Sequence, residues 1–371
     1  MTTQKYPVGQ HPNLPPPKNS VGVVPWLQEN LFSGWFNTIL TLFSIVLIFK
    51  TVPAFLDWAI FSADWSGSTP DACSKDGACW VIIRVWFDRL MYGLYPDAEI
   101  WRIRLSYIIA VVAMIPLFIA TVPRMVKVGL TGFLLLIYPI IAFNLYYGGS
   151  FGLDVVETPR WGGLFLTLVI AVTGIVLSLP LGILLALGRR SKMPVVKSIC
   201  VVFIEFWRGI PLITVLFMAS VMFPLFVPKE LNPDKLIRAL VGVTLFSSAY
   251  MAEVVRGGLQ AIPKGQYEAA AALGLNYWKS MILIILPQAL KLVIPGIVNT
   301  FIGLFKDTTL VLIIGLFDLL GMAKMATSNT DWKDFVIEGY VFAALGFFVF
   351  CFSMSRYSQY LERRLNTGHR S

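Results

Sequence analysis

The sequence predicts an all-α membrane protein with about eight transmembrane helices. Of its 371 residues, 57% are hydrophobic and only 14% are charged, whereas a soluble domain usually carries about 25% charged residues. The mean hydropathy is +0.72. Apolar runs of the length that a helix needs to cross a bilayer recur along the whole chain, with polar connections between them.

The N-terminal part predicts a tail followed by three spans. Residues 1–30 are polar and rich in proline, so we expect a disordered cytoplasmic tail. They lack the apolar core and cleavage site of a secretory signal, and the first span is therefore expected to be retained. Residues 31–150 hold three apolar runs that are expected to cross the membrane: Leu31–Phe55, Leu105–Val122 and Val128–Tyr147.

A polar loop at about 56–104 separates the first two spans, and we expect it in the periplasm. Trp80–Tyr92 within it is aromatic and amphipathic, which predicts a helix on the membrane surface. Cys73 and Cys79 lie close together in the same loop. An oxidising periplasm would join them in a disulfide, which we favour over two reduced thiols. A zinc site would need further ligands nearby.

Residues 160–365 contain five more apolar runs. They are Trp161–Gly188, Val195–Val227, Leu236–Val255, Met281–Phe305 and Val336–Met354. Pro180 is a predicted kink in the first of these runs, and Arg208–Pro211 interrupts the second. The apolar stretch Leu310–Met325 lies in a connection and need not cross the membrane.

The distribution of Lys and Arg predicts the orientation. With eight spans, both termini and the connection between spans six and seven lie on one side of the membrane. Lys and Arg far outnumber Asp and Glu in the segments on that side. Because cytoplasmic segments collect Lys and Arg, both termini are expected in the cytoplasm. The net charge of +9 then reflects topology rather than binding to nucleic acid.

The polar segment 256–287, between spans six and seven, organises the rest of the chain. Gly257, Gly258 and Pro263 are expected to break the preceding helix. Residues 266–273 then predict a short alanine-rich helix, and Gly274 suits the left-handed residue that ends it. Because so short a helix is unstable alone in water, we expect a partner surface to hold it.

This segment carries a recognisable motif. Glu268-Ala269-Ala270, Gly274, Ile284 and Leu286-Pro287 fit the pattern EAA-x3-G-x9-I-x-L-P. The segment thus resembles the EAA loop of permease subunits in bacterial ABC importers. Four further segments resemble the polar amino acid branch of these permeases: Glu205–Leu212, Ala249–Gly258, Ala261–Gln266 and Lys306–Leu310. The three additional N-terminal spans resemble the M-type subunit of the general L-amino acid transporters.

The resemblance implies a type I importer permease core of five helices, with three further helices before it, in the bacterial inner membrane. In this family the EAA loop docks a cytoplasmic coupling helix into a separate ATPase subunit. The corresponding residues here are Gln266, Glu268, Ala269, Ala270 and Gly274. The chain has no Walker-type phosphate loop, so we expect no cofactor in it. A partner subunit is expected to hydrolyse ATP.

The resemblance also implies an assembly. The expected partners are a paralogous permease subunit in a heterodimer, two ATP-binding subunits that hold ATP and Mg, and a periplasmic amino acid binding protein. The expected cargo is an L-amino acid. On this view the chain is a transport subunit and not itself an enzyme.

Polar residues inside the spans are candidate substrate ligands because they are costly in a bilayer. They are Ser247, Ser248 and Tyr250 in span six, and Lys306, Asp307, Thr308 and Thr309 at the end of span seven. Asp307 would meet the ammonium group of an amino acid, and the two threonines with the helix start after them would meet the carboxylate. The alternative is that Lys306 and Asp307 pair with each other at the membrane surface.

Two pairs of opposite charge lie one helical turn apart: Glu205 with Arg208, and Glu253 with Arg256. Each is either a structural ion pair or part of a cytoplasmic gate that changes partners. Two other functions stay open, a passive channel and a membrane-embedded enzyme. The only two histidines lie in the terminal tails, which argues against an enzyme that uses histidine as a base or metal ligand within the membrane.

Overall fold

The computed structural model describes residues 22–74, 76–150 and 152–365, and of Lys229 only the backbone. Within these residues the chain is helical, and only isolated bridges occur where strands would be. Seven helices are long and apolar enough to cross a membrane, and a sharply bent pair, counted as one span, makes the eighth. The predicted all-α membrane fold is confirmed.

The α-helices are numbered here in chain order. They are α1 Val23–Asn30, α2 Trp35–Leu56, α3 Val81–Tyr92, α4 Ile100–Phe118, α5 Arg124–Gly132, α6 Tyr138–Tyr147, α7 Gly163–Arg189, α8 Pro194–Gly209, α9 Leu212–Phe217, α10 Phe223–Phe226, α11 Lys235–Ala261, α12 Lys264–Ala272, α13 Tyr277–Ser280, α14 Leu286–Leu292, α15 Ile294–Asp307, α16 Leu319–Thr327 and α17 Val336–Leu365. Short π-helical or 3₁₀ segments continue several of them, notably Asp57–Phe61 after α2 and Thr308–Ile314 after α15.

The contacts divide the chain into two units, of which residues 22–80 belong to the first. Its membrane span is Trp35–Phe61, which begins and ends later than predicted. None of the α2 residues is buried within the chain. Of the predicted disordered tail, residues 1–21 lie outside the described residues, whereas Val23–Asn30 forms a helix instead of disordered chain.

The loop after the first span is folded against the end of that span. Cys73 and Cys79 are joined by a disulfide, with their Cα atoms 5.6 Å apart. The backbone N–H of Trp80 donates to the carbonyl of Asp64 at 2.9 Å. The indole N–H of Trp80 donates to the carbonyl of Ala59 at 2.7 Å. These bonds order the loop without a strand or a long helix.

The second unit begins at Val81 with α3, in the segment that the sequence predicts to lie on the membrane surface. Val81, Ile82, Trp86 and Leu90 form one buried face of α3, which packs against α7, α16 and α17. The amphipathic pattern is present, but protein rather than lipid covers its apolar side.

Span two is held in place by a buried arginine. α4 begins at Ile100, earlier than predicted, so Arg102 lies inside the helix and is only 1% exposed. Its guanidinium pairs with Glu99 at 2.7 Å and donates to the backbone carbonyl of Asp154 at 2.7 Å. A buried charge is tolerated when it is paired and hydrogen-bonded. Arg102 thereby ties the start of span two to the loop after span three.

Span five is broken where the sequence predicts it. α8 ends at Gly209, and the chain restarts at Leu212 with its axis bent by 99°. Pro211 has no N–H to continue the helix and disfavours a helical conformation in the residue before it. Ile210 accordingly has φ −114° and ψ 134°. In contrast, α7 runs past Pro180, the predicted kink, as one continuous helix.

Span seven differs from its predicted bounds. The segment long and apolar enough to cross is Ile294–Ile314, rather than Met281–Phe305. The helix is interrupted at Val293, directly before the first turn of α15, where a proline is tolerated. The apolar stretch Leu310–Met325 therefore divides: residues 310–314 lie in the 3₁₀ end of this span, residues 315–318 form a connection, and residues 319–325 lie in α16.

α11 is longer than predicted because the two glycines do not break it. It continues through Gly257 and Gly258 to Ala261 and ends before Pro263. Glycine lowers helix stability by only about 1 kcal/mol relative to alanine. At Gly258 there is no room for a side chain, because a Cβ would lie 2.6 Å from the carbonyl oxygen of Ala289 in α14. No atom lies within 4 Å of a Cβ at Gly257.

These two glycines give a matched pair of substitutions. We expect Gly257→Ala to raise the free energy of unfolding by about 1 kcal/mol, because helix propensity improves and the space is open. Gly258→Ala is expected to lower it by roughly 1–3 kcal/mol, because α14 must move away. Denaturation of the purified chain in detergent, followed by circular dichroism, measures both. Equal effects of the two substitutions would contradict the close approach of α11 and α14.

α16 is anchored by a buried carboxyl group. Asp318 is fully buried and precedes α16, where its Oδ1 accepts the backbone N–H of Gly321 at 2.9 Å. The hydroxyl of Thr167 in α7 accepts the N–H of Leu319 at 3.0 Å. The other oxygen of Asp318 has no hydrogen-bond partner among the described residues. Burial raises the pKa of the Asp318 carboxyl to about 6.

This raised pKa predicts how stability depends on pH. The folded protein binds the Asp318 proton more tightly than the unfolded chain, whose Asp pKa is about 3.9. Stability from this group is therefore complete below about pH 4 and is lost as pH rises through about 6, by about 3 kcal/mol. Asp318→Asn keeps an N-cap acceptor but cannot titrate, so we expect a flatter dependence between pH 4 and 7. Thermal unfolding at stepped pH tests this, and identical slopes for both proteins would contradict it.

Candidate coupling helix and substrate site

The segment that fits the EAA motif forms the short helix α12 between the ends of spans six and seven. Pro263 precedes it, and Gly274 follows it with φ +69°, the left-handed conformation that glycine adopts without strain. α12 spans Lys264–Ala272, so it begins two residues before the predicted start and ends one residue before the predicted end. The side chain of Leu273 beyond it is 74% exposed.

The faces of α12 separate the motif residues. Ala270 is 1% exposed and points toward the spans, where its small side chain permits close packing. Glu268 and Ala269 are exposed on the outer side. Gln266 is also exposed, and its Oε1 accepts from Nε2 of Gln288 in α14 at 3.1 Å. α12 is thus attached to this chain along one side and free on the other.

The predicted ion pairs belong to one larger network. Glu253 in α11 contacts three arginines, Arg256 at 2.7 Å, Arg189 at 3.0 Å and Arg208 at 3.7 Å. The predicted pairing of Glu205 with Arg208 is wrong, because Glu205 instead meets Arg189 at 2.8 Å. The end of α7 approaches α8 and supplies this competing cation.

Arg189 is the residue of this network that sequence spacing did not reveal. The sequence shows a cation at the end of span four. An i, i+3 spacing links only residues of one helix, so it cannot pair Arg189 with α8 or α11. Arg208 turns toward α11, where its guanidinium carbon lies 5.7 Å from the ring centre of Tyr250. Five charged side chains from three spans therefore meet near the bend in span five.

The predicted substrate residues fall into two groups, and no hydrogen bond or ion pair among the described residues links them. In α11, Ser247 and Ser248 are buried, and Ser248 donates to the carbonyl of Thr244 in its own helix at 2.6 Å. The ring of Tyr250 packs at a tilt against that of Phe246, with ring centres 4.9 Å apart. Tyr250 is 38% exposed and is therefore the member of this group that can reach another molecule.

The second group lies at the end of α15. Thr308 and Thr309 donate their hydroxyls to carbonyls one turn earlier, at 2.8 and 2.9 Å. Lys306 and Asp307 form no ion pair with each other or with any other described residue. The predicted alternative of a Lys306–Asp307 pair is therefore wrong, and both charges are available to a ligand.

An open cleft of about 670 Å³ adjoins this second group. Its wall is mainly apolar and comes from the 3₁₀ end of span seven, from α16 and from Ile213 just beyond the bend. Thr309, Lys324 and Ser328 are the polar side chains that line it. Among the described residues, no three His, Cys, Asp or Glu side chains lie close enough together to hold a metal ion.

Comparison with known proteins identifies the family. Residues 178–367 match the family described as binding-protein-dependent transport system inner membrane component. The chain is 58% identical over 358 residues to the inner membrane amino-acid ABC transporter permease protein YhdY of Escherichia coli K12, covering 96% of this chain and 97% of the relative. The chain belongs to this family.

A second relative of this permease subunit matches the same share of the chain. The glutamate/glutamine/aspartate/asparagine transport system permease protein BztC of Rhodobacter capsulatus is 42% identical over 425 residues, covering 96% of each chain. A solved amino acid ABC transporter with histidines is 31% identical, covering 54% of this chain and 92% of that chain, with a TM-score of 0.49. The resemblance to amino acid ABC transporter permeases is confirmed, and the protein is an inner-membrane transport component.

Proposed function

We propose that this permease subunit moves L-amino acids from the periplasm to the cytoplasm by alternating access, driven by ATP hydrolysis in separate subunits. The observation that carries the proposal is α12, a short helix that is attached along one side, exposed on the other and built from the EAA residues. A helix in a groove is a common mode of recognition between proteins. We assign Gln266, Glu268, Ala269 and Gly274 to the surface that docks on the ATPase, and Ala270 to the contact with the spans.

The proposed assembly contains a paralogous permease subunit, two ATP-binding subunits that hold ATP and Mg, and a periplasmic amino acid binding protein. Both termini and α12 face the cytoplasm, in accord with the excess of Lys and Arg on that side. The loop with Cys73 and Cys79 then faces the periplasm, where a disulfide persists.

The polar end of span seven is the proposed substrate site. Asp307 has no ion-pair partner, so its carboxylate is proposed to bind the ammonium group of the amino acid. Thr308 and Thr309 are proposed to lie beside the carboxylate of the amino acid. Lys306 supplies a second charge, and the cleft beside Thr309 provides space. Ser247, Ser248 and Tyr250 are proposed to line the path from span six. The name of the relative BztC includes acidic amino acids and their amides, which are therefore the first candidates for cargo.

The charge network is the proposed cytoplasmic gate. Glu253 holds the ends of three spans together through Arg189, Arg208 and Arg256. A rocking motion of these spans requires such pairs to exchange partners. Glu205 offers the alternative carboxylate for Arg189.

Transport in a purified system tests this function. The permease pair, the ATPase and the binding protein are reconstituted in liposomes that contain ATP and Mg, and labelled glutamate, glutamine, aspartate, asparagine and several apolar amino acids are supplied with the binding protein. We expect accumulation against a gradient that requires hydrolysable ATP. Equilibration without ATP would contradict the proposal and indicate a channel.

A further inference from the structure

One backbone carbonyl joins three elements at the cytoplasmic side proposed above. It is the carbonyl of Leu259, in the last turn of α11, where helix carbonyls have no partner within the helix. The guanidinium of Arg190, directly after α7, donates to it from Nη1 at 2.8 Å. The hydroxyl of Tyr267 in α12 also donates to it, at 3.2 Å. The end of span six is thus capped by span four and by α12 together.

The two donors also contact each other. Nη1 of Arg190 donates to the hydroxyl oxygen of Tyr267 at 3.1 Å, and the guanidinium carbon lies 5.7 Å from the centre of the tyrosine ring. The two hydrogen bonds of the tyrosine hydroxyl are compatible, because its oxygen accepts from Arg190 while its O–H donates to the carbonyl of Leu259. We call Arg190, Tyr267 and the Leu259 carbonyl the clasp.

The clasp is continuous with the charge network. Arg189, the neighbour of Arg190, contacts Glu205 in α8 and Glu253 in α11. Arg208 contacts Glu253 at 3.7 Å and lies just before the bend in span five. A connection therefore runs from α12 to the bent segment through side-chain contacts that meet at the adjacent residues Arg189 and Arg190 at the end of α7.

The chain connections of α12 alone would transmit motion poorly. On one side, α12 joins α11 through Ile262 and Pro263, which are in extended conformation. On the other side, Gly274 is in the left-handed conformation. Short non-helical links of this kind are where a rotation of α12 can be absorbed. A side-chain connection that bypasses both links would carry the rotation into the spans.

We propose that Arg190 is a positioning residue for transport, which passes the displacement of α12 to spans four and six through the clasp. This inference rests on the proposed docking of α12 to an ATPase, and it adds the route by which the motion reaches the spans. Arg190 touches neither the proposed substrate residues nor the outer face of α12. Its effect is therefore on coupling and not on binding of substrate or ATPase.

The test compares ATP hydrolysed with amino acid accumulated in the reconstituted system. For Arg190→Ala we expect hydrolysis to continue while the number of ATP molecules used per amino acid rises roughly tenfold, within the range of coupling between distant sites. Tyr267→Phe keeps the ring and removes the hydroxyl, so we expect a smaller rise. The double variant should be no worse than Arg190→Ala, because both substitutions open the same clasp.

Two further variants separate positioning from a structural cap. Arg190→Lys keeps a cation at the end of α11 but lacks the planar guanidinium that lies over the Tyr267 ring. We expect it to stay uncoupled, whereas full rescue would assign Arg190 to charge alone and overturn the proposal. Lys192→Ala is the control, since Lys192 is an exposed cation nearby, and it should couple like the wild type.

The remaining outcomes are also decisive. If Arg190→Ala keeps the wild-type ratio of ATP to amino acid, the clasp does not transmit motion. If hydrolysis, uptake and the amount of assembled complex all fall in proportion, Arg190 is only a stabilising cap. A wild-type complex without ATP-driven uptake would instead overturn the proposed function itself, before any variant is compared.

Discussion

Replacing Gly274 by aspartate is expected to abolish ATP-driven uptake while the protein still folds and enters the membrane. The residue has φ +69°, and no atom of this chain lies within 4 Å of a Cβ built there. Aspartate tolerates the left-handed conformation at modest cost. The new carboxylate therefore meets only solvent or a partner, and a disrupted contact at the centre of an interface costs about 2–4 kcal/mol. Uptake should fall more than tenfold.

The matched control is Gly274→Asn. Asparagine has nearly the same shape and also adopts the left-handed conformation, so it isolates the effect of the charge. Uptake and copurification of the ATPase are measured for both variants beside the amount of inserted permease. Normal uptake by Gly274→Asp would remove the docking role of this end of α12. Loss in both variants would point to steric contact rather than charge.

Replacing Glu253 by glutamine is expected to destabilise the permease strongly. Its side chain is 16% exposed and is the shared partner of Arg189, Arg208 and Arg256. Glutamine keeps the shape but leaves three cations at the meeting point of spans four, five and six. Removing one member of a buried ion pair costs roughly 3–5 kcal/mol. We expect a loss of about 3 kcal/mol in the free energy of unfolding.

Glu205→Gln provides the comparison. The Glu205 side chain is 54% exposed and pairs with Arg189, so its removal should cost about 0–1 kcal/mol. Unfolding of both variants in detergent, followed by circular dichroism at low and high salt, measures the difference. If Glu205→Gln were the more damaging substitution, Glu253 would not be the centre of the network.

Much of the fold follows from local signals in the sequence. Long apolar runs determine where helices cross, and Pro211 removes a donor and restricts Ile210, so the break in span five is predictable. The end of α12 is equally local, because only a residue such as Gly274 adopts its conformation freely. In each of these cases the physical cause acts within a few residues of its effect.

The errors share a different cause. The sequence predicts that Gly258 breaks the helix. The helix instead continues, and the glycine is there because α14 packs so closely that a side chain would not fit. Glu205 and Arg208 have the spacing of an ion pair, yet Arg189 from another helix takes the carboxylate. The limits of span seven shifted because apolar length alone cannot distinguish a crossing helix from a buried one. Each error arose where contacts between distant segments outweighed local preference.

The bend in span five has a consequence for hydration. The carbonyls of residues 206–209 end α8, and no backbone N–H outside α8 in the described chain donates to them. Hydrocarbon cannot satisfy such groups, and broken helices are tolerated in a bilayer where they are enclosed by protein or line a wet cavity. A pair of helices that crosses as one span with this break therefore needs polar partners at the break, either water or polar groups of a neighbouring subunit. Lipid tails alone cannot surround this part of the subunit.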